Sequence, residues 1–131
     1  MKIDAFLKEL SMFTDRDERM EFLIDLASRF KEVPKEIAER PFPKENKVPA
    51  CESDAYVWLR DGKLYFAVEN PQGISAKALA VILDENFSGT DQINQIPESL
   101  VDTIFGSTIS MGKGEGLRGM IRLAKSLAAS L

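Results

Sequence analysis

Tyr56-Val57-Trp58-Leu59 and Lys63-Leu64-Tyr65-Phe66-Ala67-Val68, joined through Arg60-Asp61-Gly62, form the stretch that decides the fold of this 131-residue chain. Aromatic and β-branched side chains suit a pleated, half-buried surface. Asp61-Gly62 is the dipeptide that tolerates the two positive φ angles of a type I′ turn, so the two runs predict a β-hairpin. Leu64, Phe66 and Val68 alternate onto one face, expected to lie against helices. Tyr56, Trp58 and Tyr65 read as packing or cross-strand partners and not as a platform for stacked bases.

Helical patterns flank the hairpin on both sides. Ala5, Phe6, Leu7 and Leu10 predict a short opening helix ending near Phe13. Thr14 is the expected N-cap of a second helix, with Asp15, Asp17 and Glu18 where the helix dipole favours negative charge. Met20, Leu23, Ile24, Ala27 and Phe30 recur at the spacing of one buried face, and Pro34 is expected to close that helix. Pro41, Pro43 and Pro49 mark residues 35–50 as a surface loop leading into a short strand. After Asn70-Pro71-Gln72-Gly73, a helix is predicted from Ile74 to Phe87. Two short helices follow, the first capped by Thr90 and the second started by Pro97. The stretch Gly112-Lys113-Gly114-Glu115-Gly116 is expected to precede a last helix carrying Leu117, Met120, Ile121, Ala124 and Leu127. Helices, a small antiparallel sheet, then helices again describe a single α+β domain over residues 1–131.

Composition narrows the chemistry. An apolar content of 44% suffices for one core. Seventeen Lys and Arg against 21 Asp and Glu give a net charge of −4, which argues against nucleic acid or an anionic membrane as partner. No apolar run reaches the length of a membrane span, and no secretory signal pattern opens the chain. Histidine is absent and Cys51 is the single cysteine. A Ser-His or Cys-His nucleophile is therefore excluded, as are an intramolecular disulfide and a Cys/His zinc site. One unpaired thiol suits a reducing compartment, most simply the cytoplasm.

Cys51 lies in Val48-Pro49-Ala50-Cys51-Glu52-Ser53-Asp54, a polar, loop-like run just before the hairpin. A free cysteine is often a small buried hydrophobe, but a loop before a rigid element is where chemistry tends to be placed. Glu52 and Asp54 put negative charge beside a group that must itself become an anion to attack, so the fold or a partner has to help. The glycine-rich stretch lacks the spacing of a phosphate loop and no strand leads into it. Lys113 could still set a positive charge near a sulfur anion.

The segment from Val48 to Tyr56 resembles the V-x-G-C-x-S-x-V-[WY] signature of the SufE family, sulfur acceptors in iron–sulfur cluster assembly. The resemblance continues through Asp61-Gly62-Lys63 and Lys77-Ala78-Leu79-Ala80, and returns in Gly116-Leu117-Arg118-Gly119-Met120-Ile121-Arg122. It implies an α+β fold with a three-stranded antiparallel sheet packed on the N- and C-terminal helices. It also implies that Cys51 accepts sulfur from the persulfide of a cysteine desulfurase, stimulates that enzyme, and passes the sulfur to an iron–sulfur scaffold. The chain would then be a sulfur-transfer partner and not a stand-alone enzyme, needing no cofactor beyond a transient persulfide on Cys51. Ala50, Glu52, Ser53, Asp54 and Lys113 would support the loop or face the partner. Ala50 replaces the family's usual glycine, and Lys113 stands where arginine is usual, keeping the charge without bidentate hydrogen bonding. The alternative is a non-catalytic adaptor that binds the desulfurase or scaffold while its thiol stays inert. A cluster-carrying scaffold is poorly served by one thiolate per chain.

Overall fold

Asp61 and Gly62 adopt φ angles of 53° and 76°, as the type I′ turn demands, and the hairpin forms in full register. Strand β1 (Ala55–Arg60) pairs antiparallel with β2 (Lys63–Val68), from Ala55 opposite Val68 to Arg60 opposite Lys63. The computed structural model describes residues 2–51 and 53–130. One sheet face, with Val57, Leu64, Phe66 and Val68, is buried in the main core. Trp58 and Ala67 on the other face are buried by Val33, Ile37, Ala38 and Phe42 from the proline-rich segment. The Phe42 ring centroid stands 5.1 Å from those of both Tyr56 and Trp58, so these aromatics pack as expected.

The expected third strand does not form: among the described residues the sheet has two strands. What remains of it is a single bridge between Lys47 and Tyr56, with the Val48 N–H donating to the Ala55 carbonyl at 2.8 Å. Local chemistry explains the shortfall. A 3₁₀ turn at Lys44–Asn46 occupies the residues before the bridge. Pro49, with no N–H to give, and Ala50 at φ 58° stop the ladder after it. The opposite edge receives one bond, from the Val33 N–H to the Phe66 carbonyl at 2.8 Å.

Six α-helices are described: α1 (Lys2–Leu10), α2 (Arg16–Ala27), α3 (Ile74–Asn86), α4 (Thr90–Asn94), α5 (Leu100–Phe105) and α6 (Met111–Ala129). Helix α3 is the hub. Ala76 and every residue from Ala78 to Leu83 are buried, and α3 packs against α1, α2, α6 and β2, while α6 packs against β1. The N-cap of α2 is Asp15, not Thr14; its carboxylate accepts the Glu18 N–H at 3.3 Å. The helix ends at Ala27, well before Pro34, and buries Leu23 and Leu26. Ile24, expected in the core, is 45% exposed. Two apolar stripes run side by side on α2, and packing selects the one through Leu23 and Leu26.

Arg19 clamps helix ends. Its guanidinium donates to the Leu10 carbonyl at 3.2 Å and to those of Phe13 and Thr103 at 3.3 Å each. These carbonyls lie at the end of α1, in the following turn and within α5, where an arginine is a natural partner. Arg19→Ala is expected to cost about 1–2 kcal/mol, at the low end for charged hydrogen bonds because the group is partly solvated. Urea denaturation would measure it, and Arg19→Lys should recover only part of the loss.

Candidate functional site at Cys51

The glycine-rich stretch is not a loop ahead of α6 but its opening turns. Ser110 caps the helix, its hydroxyl accepting the Lys113 N–H at 3.2 Å, and the helix runs from Met111. The glycines answer to packing. A β-carbon on Gly116 would stand 3.2 Å from the Cys51 Cα and 3.5 Å from the Ala50 carbonyl oxygen. One on Gly119 would stand 3.1 Å from a Val48 methyl and 3.5 Å from the Pro49 carbonyl oxygen. The cysteine loop thus lies with its backbone directly on α6, so closely that any side chain at 116 or 119 would force its neighbour to shift by a few tenths of an ångström.

The loop is pinned at its exit. The Asp54 N–H donates to the Cys51 carbonyl, the Asn70 N–H to that of Ser53 and the Glu69 N–H to that of Asp54, each at 3.2 Å. Lys47 Nζ approaches the Asp54 carboxylate at 3.4 Å. Ala50 and Asp54 both adopt left-handed backbone, at φ 58° and 50°. For alanine this region costs about 1–2 kcal/mol, so the loop is held under strain at Ala50. Ala50→Gly is therefore expected to raise stability by about 1 kcal/mol, partly reduced by the freer unfolded chain. Thermal denaturation of the two proteins side by side would show it.

Cys51 is a half-buried free thiol in the wall of a groove of about 210 Å³. The groove gathers four parts of the chain. Cys51 and Ser53 come from the loop, Ile74, Ser75 and Ala76 from the start of α3, Met20 and Ile24 from α2, and Thr108, Ile109, Lys113 and Leu117 from around the start of α6. Of the proposed site residues, Cys51, Ser53 and Lys113 meet here, while Ala50 and Asp54 shape the loop beside it. Glu52 lies outside the described residues. Met20, Ile24, Ile74 and Thr108 carry no sequence signal as site residues. The first two read as core, and only the α2 stripe that lost the core could have marked them.

Lys113 is the one charged side chain among the described residues of the lining. Glu115 does not oppose it there, being tied to arginines. Its carboxylate accepts from Arg122 at 2.7 Å and from Arg118 at 3.3 Å, and these arginines reach on to Glu98 at 2.8 Å and Asp102 at 3.1 Å. Hydrogen bonding from Arg122, then from Arg118, holds the Glu115 carboxyl below its ordinary range. A larger cavity of about 390 Å³ lies between β2, α3 and the segment after α2. Four of its lining charges pair with one another, Arg29 with Glu85 at 2.8 Å and Lys63 with Asp84 at 2.5 Å, and no thiol lines it. Size here does not locate the chemistry. Among the described residues no group of three His, Cys, Asp or Glu could hold a metal ion, and no helix is long and apolar enough to cross a membrane.

The sequence matches the family model described as SufE, Fe-S metabolism associated domain, over residues 4–128. The fold is similar to the solution structure of a hypothetical protein from Thermus thermophilus, with a TM-score of 0.74. That match covers 98% of this chain and 94% of the other at 18% identity, a likeness of fold alone. No curated protein matches the sequence.

Proposed function

The chain belongs to the SufE family of Fe-S metabolism associated domains, and from that premise we propose that Cys51 is the acceptor that takes sulfane sulfur from a cysteine desulfurase. The observation that carries this reading is the setting of the chain's one thiol, half-buried in a groove on a strained loop laid across α6. The Cys51 thiolate attacks the outer sulfur of the desulfurase persulfide. The S–S bond of that persulfide breaks, the desulfurase cysteine leaves as a thiolate, and Cys51 becomes the persulfide. A second exchange of the same kind hands the sulfur to an iron–sulfur scaffold. Neither step needs a histidine, a metal or a resident cofactor on this chain, and a reducing cytoplasm keeps the thiol available.

Ser53 and Asp54, through their backbone bonds to the end of β2, fix where the loop ends. Ala50, exposed beside Cys51, belongs to the part presented to the partner, and Lys113 sets positive charge at the groove where a persulfide anion forms. The half-burial of Cys51 gives the adaptor reading its one support, since a sheltered thiol can stay inert. Desulfurase turnover on free cysteine separates the two. Stimulation by the wild-type chain and none by Cys51→Ser is the result expected for an acceptor. Equal stimulation by both proteins supports the adaptor and overturns the acceptor.

A further inference from the structure

The groove has a use that the exchange between two proteins does not require. Its volume of about 210 Å³ falls below the range of pockets for drug-sized ligands, about 300–1,000 Å³, yet it has room for a molecule of a few heavy atoms. Its chemistry is divided in a way that suits one ligand class. Ile24, Ile74 and Leu117 give apolar walls, Thr108 offers a hydroxyl, and Lys113 supplies a positive charge with no ion-pair partner among the described residues, opening onto the same space as Cys51. We propose that this groove admits a small carboxylate-bearing thiol that takes the sulfane sulfur directly from Cys51, so that the loaded chain can discharge without a scaffold protein.

The step rests on the reading of Cys51 as a sulfur carrier, and its chemistry balances. With its carboxylate at Lys113, the small thiol RSH attacks as RS⁻ on the outer sulfur of the Cys51 persulfide. A new S–S bond forms in RSSH, the Cys51 Sγ–S bond breaks, and the proton given up by RSH accounts for that on the restored Cys51 thiol. The sulfane atom moves with no external oxidant or reductant.

The test loads the full chain with inorganic polysulfide, which gives up one sulfur to Cys51, so no desulfurase is involved. After removal of excess, 3-mercaptopropionate and cysteamine are compared as acceptors, and loss of one sulfur from the intact protein is followed by mass spectrometry. They carry opposite charges on the same two-carbon spacer, and comparing each across variants cancels its intrinsic reactivity. Lys113→Ala should lower the preference for 3-mercaptopropionate about threefold, as befits an exposed ion pair. Lys113→Glu should lower it further, Lys113→Arg should keep it, and high salt should erase it. Lys125→Glu, roughly 18 Å along α6, changes net charge equally and should leave it intact. The same preference in wild type and Lys113→Glu, or an equal drop in Lys125→Glu, overturns the inference while leaving the acceptor reading standing. Failure of Cys51 to hold any sulfur overturns both.

Discussion

Cys51→Ser is expected to fold normally and to carry no sulfur, with delivery to a scaffold falling to background. The substitution replaces one atom by a smaller one at a half-buried site, so its effect on stability should stay within about 1 kcal/mol. Its effect on chemistry should be complete. A serine hydroxyl is not ionised at neutral pH and forms no persulfide, and the chain has no second cysteine to substitute for the first. Scaffold-bound sulfur, measured with desulfurase, free cysteine and each protein in turn, gives the comparison. Residual delivery by Cys51→Ser well above a blank without the chain would mean that sulfur moves by another route.

Gly116→Val should dislodge the cysteine loop from α6. A β-carbon there already meets the Cys51 Cα at 3.2 Å, and valine adds two methyl groups against backbone that cannot fold aside. Overpacking of this kind costs about 1–3 kcal/mol. Valine is a somewhat better helix former than glycine, but by only a few tenths of a kcal/mol. If the clash is relieved by loop opening, each 1.4 kcal/mol shifts that equilibrium about tenfold, and alkylation of Cys51 by iodoacetamide should accelerate. Gly114→Ala is the contrasting case. Its β-carbon would meet only the guanidinium end of the long Arg118 side chain, at 3.4–3.7 Å. The gain in helix propensity, about 0.8–1 kcal/mol, should then win, so this variant is expected to be more stable with unchanged labelling. Equal behaviour of the two variants would mean that the loop does not depend on α6 for its position.

The hairpin is legible in sequence because its determinants are local: two pleat-forming runs and a turn dipeptide whose backbone needs are its own. The third strand is not, since a strand beside β1 depends on how far a proline-broken segment can follow it, and here that is one bridge. The glycine stretch misleads for a related reason. Glycine lowers helix propensity, yet Ser110 caps the helix and close contact with the loop demands small residues inside it. On α2, two apolar stripes compete and periodicity cannot say which one the core takes. Cys51 stands out because it is the single thiol in a polar run, whereas Met20, Ile24, Ile74 and Thr108 become its neighbours only through the packing of α2, α3 and α6.

The most direct measurement is the intact mass of the protein after incubation with a cysteine desulfurase and free cysteine, followed by peptide mapping. One added sulfur, removable by reductant and located on the peptide containing Cys51, is the predicted result. An unchanged mass, from an active desulfurase that binds the chain, would contradict a sulfur-accepting role for Cys51.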